Sequence, residues 1–127
     1  MSLLSGLSSA EDHIVLVGTE DNPYIFSEAN LVIAPGDNVT FVWTPGQPHN
    51  VAQVESSSSN VYVSGGDIIF FYSGEPVDGV EWVLNSTYTQ EEGTLYYICE
   101  PHAGLQMRGQ IVIESRPDIT MELGNFP

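Results

Sequence analysis

The sequence predicts an all-β fold, a single-domain sandwich of short strands, and three observations carry that prediction. Val, Ile, Thr, Tyr and Phe recur in short runs, the residue types that fit a pleated, half-buried surface. Twelve Gly and eight Pro separate those runs at close intervals, too often for long helices. The 127 residues, 42% of them hydrophobic, are enough for one core.

The elements follow in chain order. Ile14-Val15-Leu16-Val17 is a continuous apolar run within His13–Gly18 and predicts the first strand, ended by the turn-forming Glu20-Asp21-Asn22-Pro23. Tyr24–Phe26 and Leu31–Ile33 are the next extended pieces. Pro35-Gly36-Asp37-Asn38 is a turn, and Val39–Trp43 after it alternates, with Val39, Phe41 and Trp43 on one face. Thr44-Pro45-Gly46-Gln47-Pro48 stops that strand and sets His49 on a fixed loop at its end. Val51–Val54 resumes extended structure, and the serine-rich Ser56–Asn60 predicts the most mobile loop. Further strands are expected at Val61–Val63, Ile68–Tyr72 and Val80–Asn85. The strongest strand signal is Gly93–Cys99, in which Leu95, Tyr97 and Cys99 share a face and the thiol points inward if that face is the inner one. Pro101 ends it, Ala103–Gln106 makes a tight loop, and Met107–Ile113 opens the closing strand. Residues 1–12 are then an N-terminal segment, 13–114 the domain and 115–127 a C-terminal extension, either a short extra strand or a frayed tail.

Seventeen acidic residues face two basic ones, Arg108 and Arg116, and there is no lysine, for a net charge of -15. That balance excludes nucleic acid as a partner. The acids are scattered from Glu11 to Glu122, which fits solvation in a high-salt or marine setting better than one docking patch. No apolar run approaches the ~18 residues that span a bilayer, and the opening Met1-Ser2-Leu3-Leu4 lacks the basic start of a signal peptide. The chain as it stands reads as soluble, with a native signal or anchor left open. Asn38-Val39-Thr40 and Asn85-Ser86-Thr87 match the glycosylation acceptor pattern and lend slight support to export.

Cys99 is the single cysteine, so no internal disulfide forms and it is buried, reactive or metal-bound. Three residues downstream stands His102, and five beyond that Met107. With His49 these side chains offer a thiolate, two imidazoles and a thioether, a set that suits copper cycling between two oxidation states. Structural zinc sites are usually built from Cys and His without a thioether, so Met107 favours copper over zinc. Taken singly, Cys99 reads as an inert buried thiol, Met107 as core filler and His49 as a turn residue; their joint spacing carries the argument. His13 has no such company and is expected on the solvated surface. Trp43, Trp82, Tyr96 and Tyr97 read as core or sheet-face residues.

Pro48-His49-Asn50 together with Cys99-Glu100-Pro101-His102 and Met107 resembles the plastocyanin branch of the cupredoxins, the halocyanins especially, from about His13 to Ile113. The resemblance implies a Greek-key β-sandwich of about eight strands with one type 1 copper per chain, held by His49, Cys99, His102 and Met107. It further implies an Asn50 backbone amide that donates to the thiolate and Pro101 in the ligand loop. The function it implies is one-electron shuttling between larger redox partners outside the cytoplasm, at a cell surface or in a periplasm-like space. Docking would occur over an apolar patch at His102, with the carrier expected as a monomer, possible peripheral membrane association through a missing anchor, and no enzymatic activity.

Three residues depart from the family pattern. Glu100 replaces a small residue and would depress the potential if its carboxylate pointed inward. Ile98 stands where plant plastocyanins have a tyrosine, and Gln106 where glycine is usual, glutamine being itself a known weak axial ligand. Two other functions compete: a small-molecule oxidoreductase at an open copper position, and a copper carrier that delivers its metal. A cysteine hydrolase finds no nucleophile motif or oxyanion loop.

Overall fold

The computed structural model describes residues 10–63 and 69–116. Among them seven strands form two mixed sheets. The first sheet has the order β1-β3-β5, from β1 (Asp12–Val17), β3 (Asn38–Trp43) and β5 (Glu81–Leu84). The second has the order β2-β7-β6-β4, from β2 (Asn30–Ile33), β7 (Arg108–Ile113), β6 (Gly93–Ile98) and β4 (Ala52–Val54). β1 runs parallel to β3 and β2 parallel to β7, while the other pairs are antiparallel. The only helices among the described residues are two short 3-10 segments, Ser86–Thr89 and Glu100–Leu105.

Alternation decides what each strand buries. Val39, Phe41 and Trp43 of β3 are buried, as the sequence predicts, and meet Val15 and Val17 of β1 in the core. Tyr97 and Cys99 enter the same core from the opposite sheet, with Leu95 packed against it. Rings of Phe26, Phe41 and Phe71 pack around Tyr97 with centroids 4.7, 5.3 and 6.5 Å away. Gly109, opposite Tyr97 in the β6–β7 ladder, leaves room for that phenol: a Cβ there would collide with its oxygen. On the other face of β6, Ile98 joins Ala52, Val54 and Ala103 in a second cluster covered by Tyr62, Tyr72 and Tyr96.

Two of the predicted strands are not regular strands. Val61–Val63 is irregular, and of Ile68–Tyr72, whose first residue lies outside the described residues, only Tyr72 enters a β-bridge, to Ala52. The reason lies in the hydrogen bonds around that bridge. Gln53 N–H donates to Phe71 O and Ser73 N–H to Val51 O, but the return bonds go to side chains. Phe71 N–H donates to Gln53 Oε1 and Val51 N–H to Ser73 Oγ, so the ladder is satisfied without regular strand geometry. Tyr24–Phe26 likewise contributes one bridge, Phe26 to Val17.

At the surface, the serine-rich turn has ties that the sequence does not show, and the expectation for His13 changes. In the serine-rich turn, Arg108 donates to Ser57 O, Ser59 O and Asn60 Oδ1, tying Ser56–Asn60 to the start of β7. His13 is half-buried rather than freely solvated, with Nε2 2.9 Å from Asp37 Oδ2. Asp37, 1% exposed, also receives Glu11 N–H, Ala34 N–H and the Arg116 guanidinium, which reaches Glu11 as well. These residues close the end of β1 and β3 at which both strands start. Among the described residues no helix is long and apolar enough to cross a membrane.

Candidate metal centre

The opposite end of the sandwich gathers His49, Cys99 and His102, and strand register explains why. β4 and β6 pair Ala52 with Ile98; carried outward, that register sets Val51 against Cys99 and Asn50 against Glu100. β6 and β7 pair Ile98 with Arg108, and one step further Cys99 N–H donates to Met107 O at 3.0 Å. The loop 99–107 is therefore closed at its base by its own first and last residues. Between them Pro101 enters a 3-10 helix at a position where its missing N–H is harmless. Gln106 ends that helix at φ 66°, in the left-handed region that favours glycine; its N–H donates to Ala103 O and the Met107 N–H to His102 O. Its side chain is exposed, whereas Met107 is fully buried in the core.

His49 is pinned through its backbone. It exchanges both hydrogen bonds with Val77, at 2.8 and 3.0 Å, and its carbonyl accepts from Trp43 Nε1 at 2.7 Å. Its ring is confined by Gly18, where φ is +82° and a Cβ would come within 3.2 Å of Nε2 and 3.0 Å of Pro23 O. Nothing in the sequence of Gly18, Val77 or Trp43 marks them as supports of His49; the contacts arise only when β1, β3 and the segment before β5 meet.

Cys99 Sγ lies 3.5 Å from His49 Nδ1 and 3.4 Å from His102 Nδ1, and the three donor atoms all fall within 4.8 Å of one another. Burial pushes the Cys99 thiol up from its ordinary range, while N–H groups of Asn50 and His102 directed at the sulfur oppose that. The free thiol is thus not poised as a nucleophile, and the amides favour a thiolate paired with a cation. Burial lowers the His49 imidazole, as does His102 beside it, against a smaller opposing pull from Asp78; burial lowers His102 too. Both rings are therefore held toward the neutral form, the one that ligates metals. A buried thiol, two neutral imidazoles and convergent amides fit a soft, thiophilic metal ion such as copper.

His102 is half-buried and the Tyr24 ring packs on it at 4.8 Å, with Leu105 exposed on the same short helix. Glu100, whose effect depends on where its carboxylate points, is turned to the surface. Its Oε1 accepts from Asn50 Nδ2 at 2.7 Å and from the Tyr72 hydroxyl at 2.9 Å. Ile98 is fully buried in the second cluster, so no phenol occupies its position. A second group of potential metal-binding side chains, Glu11, His13 and Asp37, lies at the far end and already pairs with Arg116.

Comparison with known proteins agrees with this geometry. Residues 13–114 match the family described as copper binding proteins, plastocyanin/azurin family. A plastocyanin of Daucus carota is 30% identical over 99 residues, 78% of this chain and 97% of that protein. A halocyanin of Natronomonas pharaonis is 28% identical over 108 residues, 84% of this chain and 59% of that protein. In fold, the chain is similar to a purple cupredoxin of Nitrosopumilus maritimus, with a TM-score of 0.59, 21% identity, and coverage of 81% of this chain and 100% of that one. With an all-β sandwich, a buried thiol between two imidazoles and a family match from His13 to Glu114, this chain belongs to the copper-binding plastocyanin/azurin family.

Proposed function

We propose that the chain is a one-electron carrier whose copper is held by His49, Cys99, His102 and Met107, and that it exchanges electrons through His102 with redox proteins outside the cytoplasm. Bound copper supplies a one-electron couple at a thiolate and two imidazoles. The observation that carries the reading is the approach of both Nδ1 atoms to within 3.5 Å of Cys99 Sγ in a site where His49, Cys99 and Met107 are closed to solvent.

The residues divide the work. His49 and Cys99 are fixed through their backbones by Val77, Trp43 and Met107, so these donors need little rearrangement when charge changes. Asn50 and His102 direct amide protons at the sulfur and so moderate its electron density. His102 alone of the three clustered donors reaches toward the surface, where Tyr24 and Leu105 give it an apolar rim suited to brief docking. The enclosure of the thiol favours a carrier over an enzyme with an open metal position. The copper-loaded protein is expected to show an intense blue sulfur-to-copper absorption that Cys99→Ser abolishes; a colourless wild type that takes up no copper would remove the reading.

A further inference from the structure

The register that assembles the centre also sets Asn50 against Glu100, beyond the last regular pair of β4 and β6. There the ladder continues through side chains. Glu100 N–H donates to Asn50 Oδ1 at 2.8 Å, and Asn50 Nδ2 donates back to Glu100 Oε1 at 2.7 Å. The same amide gives its remaining proton to Gly74 O at 3.0 Å, so the fully buried Asn50 side chain has all its polar groups matched. Glu100 Oε1 is held from the other side by the Tyr72 hydroxyl, and that hydroxyl also lies 3.0 Å from Glu75 Oε2. The Tyr72 ring stacks on Tyr62 at 4.5 Å over the cluster that contains Ile98, the residue before Cys99.

We propose that Glu100 is a positioning residue: its carboxylate latches the loop of His49 and Asn50 to the loop of Cys99 and His102, and so governs how firmly the centre holds copper. A small residue at 100 would keep the backbone bond to Asn50 Oδ1, but it would leave Asn50 Nδ2 with Gly74 alone and the Tyr72 hydroxyl with Glu75 alone. The lost bond joins residues 50 apart in sequence. Its loss frees the stretch of backbone whose N–H faces the thiolate. The acceptor geometry at Oε1 matters more than the charge, because the carboxylate sits at the surface where water and salt screen it.

The inference rests on the proposed copper site, and the test separates the two. Wild type, Glu100→Gln and Glu100→Ala are compared for copper release to a chelator, for the blue absorption, and for the melting temperature of the copper-free protein. Glu100→Gln keeps an oxygen acceptor for Asn50 and is expected within about twofold of wild type in release rate. Glu100→Ala is expected to release copper about tenfold faster, to shift the absorption, and to melt lower even without copper. Equal behaviour of Ala and wild type, or equal damage in Gln and Ala, would overturn the latch. A wild type that never turns blue would instead overturn the copper assignment, while the copper-free melting temperatures still report on the latch.

Discussion

Tyr97 shows how far one residue can depart from the usual rules inside a packed core. Among the described residues no group hydrogen-bonds to its buried hydroxyl, and burial, with a smaller push from Glu28, raises its titration well above the ordinary phenol range. An unmatched buried hydroxyl costs about 1–3 kcal/mol. Tyr97→Phe is therefore expected to stabilise the protein by roughly 1 kcal/mol, read as a higher urea midpoint with an unchanged slope and unchanged copper spectrum. A lower midpoint would mean that the hydroxyl has a partner after all. At this scale the sequence was generous about identity and silent about direction. The spacing of Cys99, His102 and Met107 is legible because one short loop brings them together. The turn of Glu100 outward to Asn50 is not, because it depends on Tyr72, a residue that arrives from a different part of the fold.

At the scale of elements, the ion-pair group around Asp37 joins the starts of β1 and β3 to the chain after β7. Burial pushes the Asp37 carboxyl up, but N–H groups of Glu11 and Ala34, the His13 ring and the Arg116 guanidinium outweigh it and hold the group at about 2 instead of 3.8. A depressed acid contributes stability above its unfolded value and loses it as the pH falls toward the folded one. The contribution, about 1–2 kcal/mol after screening at the rim, is thus complete above pH 4 and lost between about 4 and 2. Asp37→Asn is expected to melt lower at pH 7 and to lose less on acidification over that interval; parallel curves for the two proteins would contradict the assignment. Strand alternation made β3 and β6 readable from residue types alone, since Val39, Phe41, Trp43, Tyr97 and Cys99 fall on the predicted faces. The segment before β5 was not readable, because Gln53 and Ser73 replace carbonyls as acceptors and no hydropathy pattern records that exchange. Asp37 read only as a turn residue, and apart from Ala34 its carboxylate's partners lie 24 to 79 residues away.

For the whole molecule, charge is the dominant property. A chain at -15 repels itself, and both of its arginines are already engaged, Arg108 with the serine turn and Arg116 with Asp37. Raising salt from about 0.1 M to about 1 M shortens the screening length from about 10 Å to about 3 Å. The melting temperature is expected to climb across that range and then level off, a rise that sucrose at matched osmolality does not reproduce. A flat response to sodium chloride would show that the acids are spaced widely enough to ignore one another.

The joining of Arg116 to Glu11 has a consequence for orientation. β1 and β3 run in step from that junction to the His49 end, six residues or about 20 Å away. The stretches of backbone around Glu11 and Arg116 thus meet at the base of the sandwich, with the candidate metal centre at its summit. A lipid or neighbouring module attached at Glu11 or Arg116 themselves would hold the molecule by its foot and, on the proposed reading, leave His102 at the opposite end.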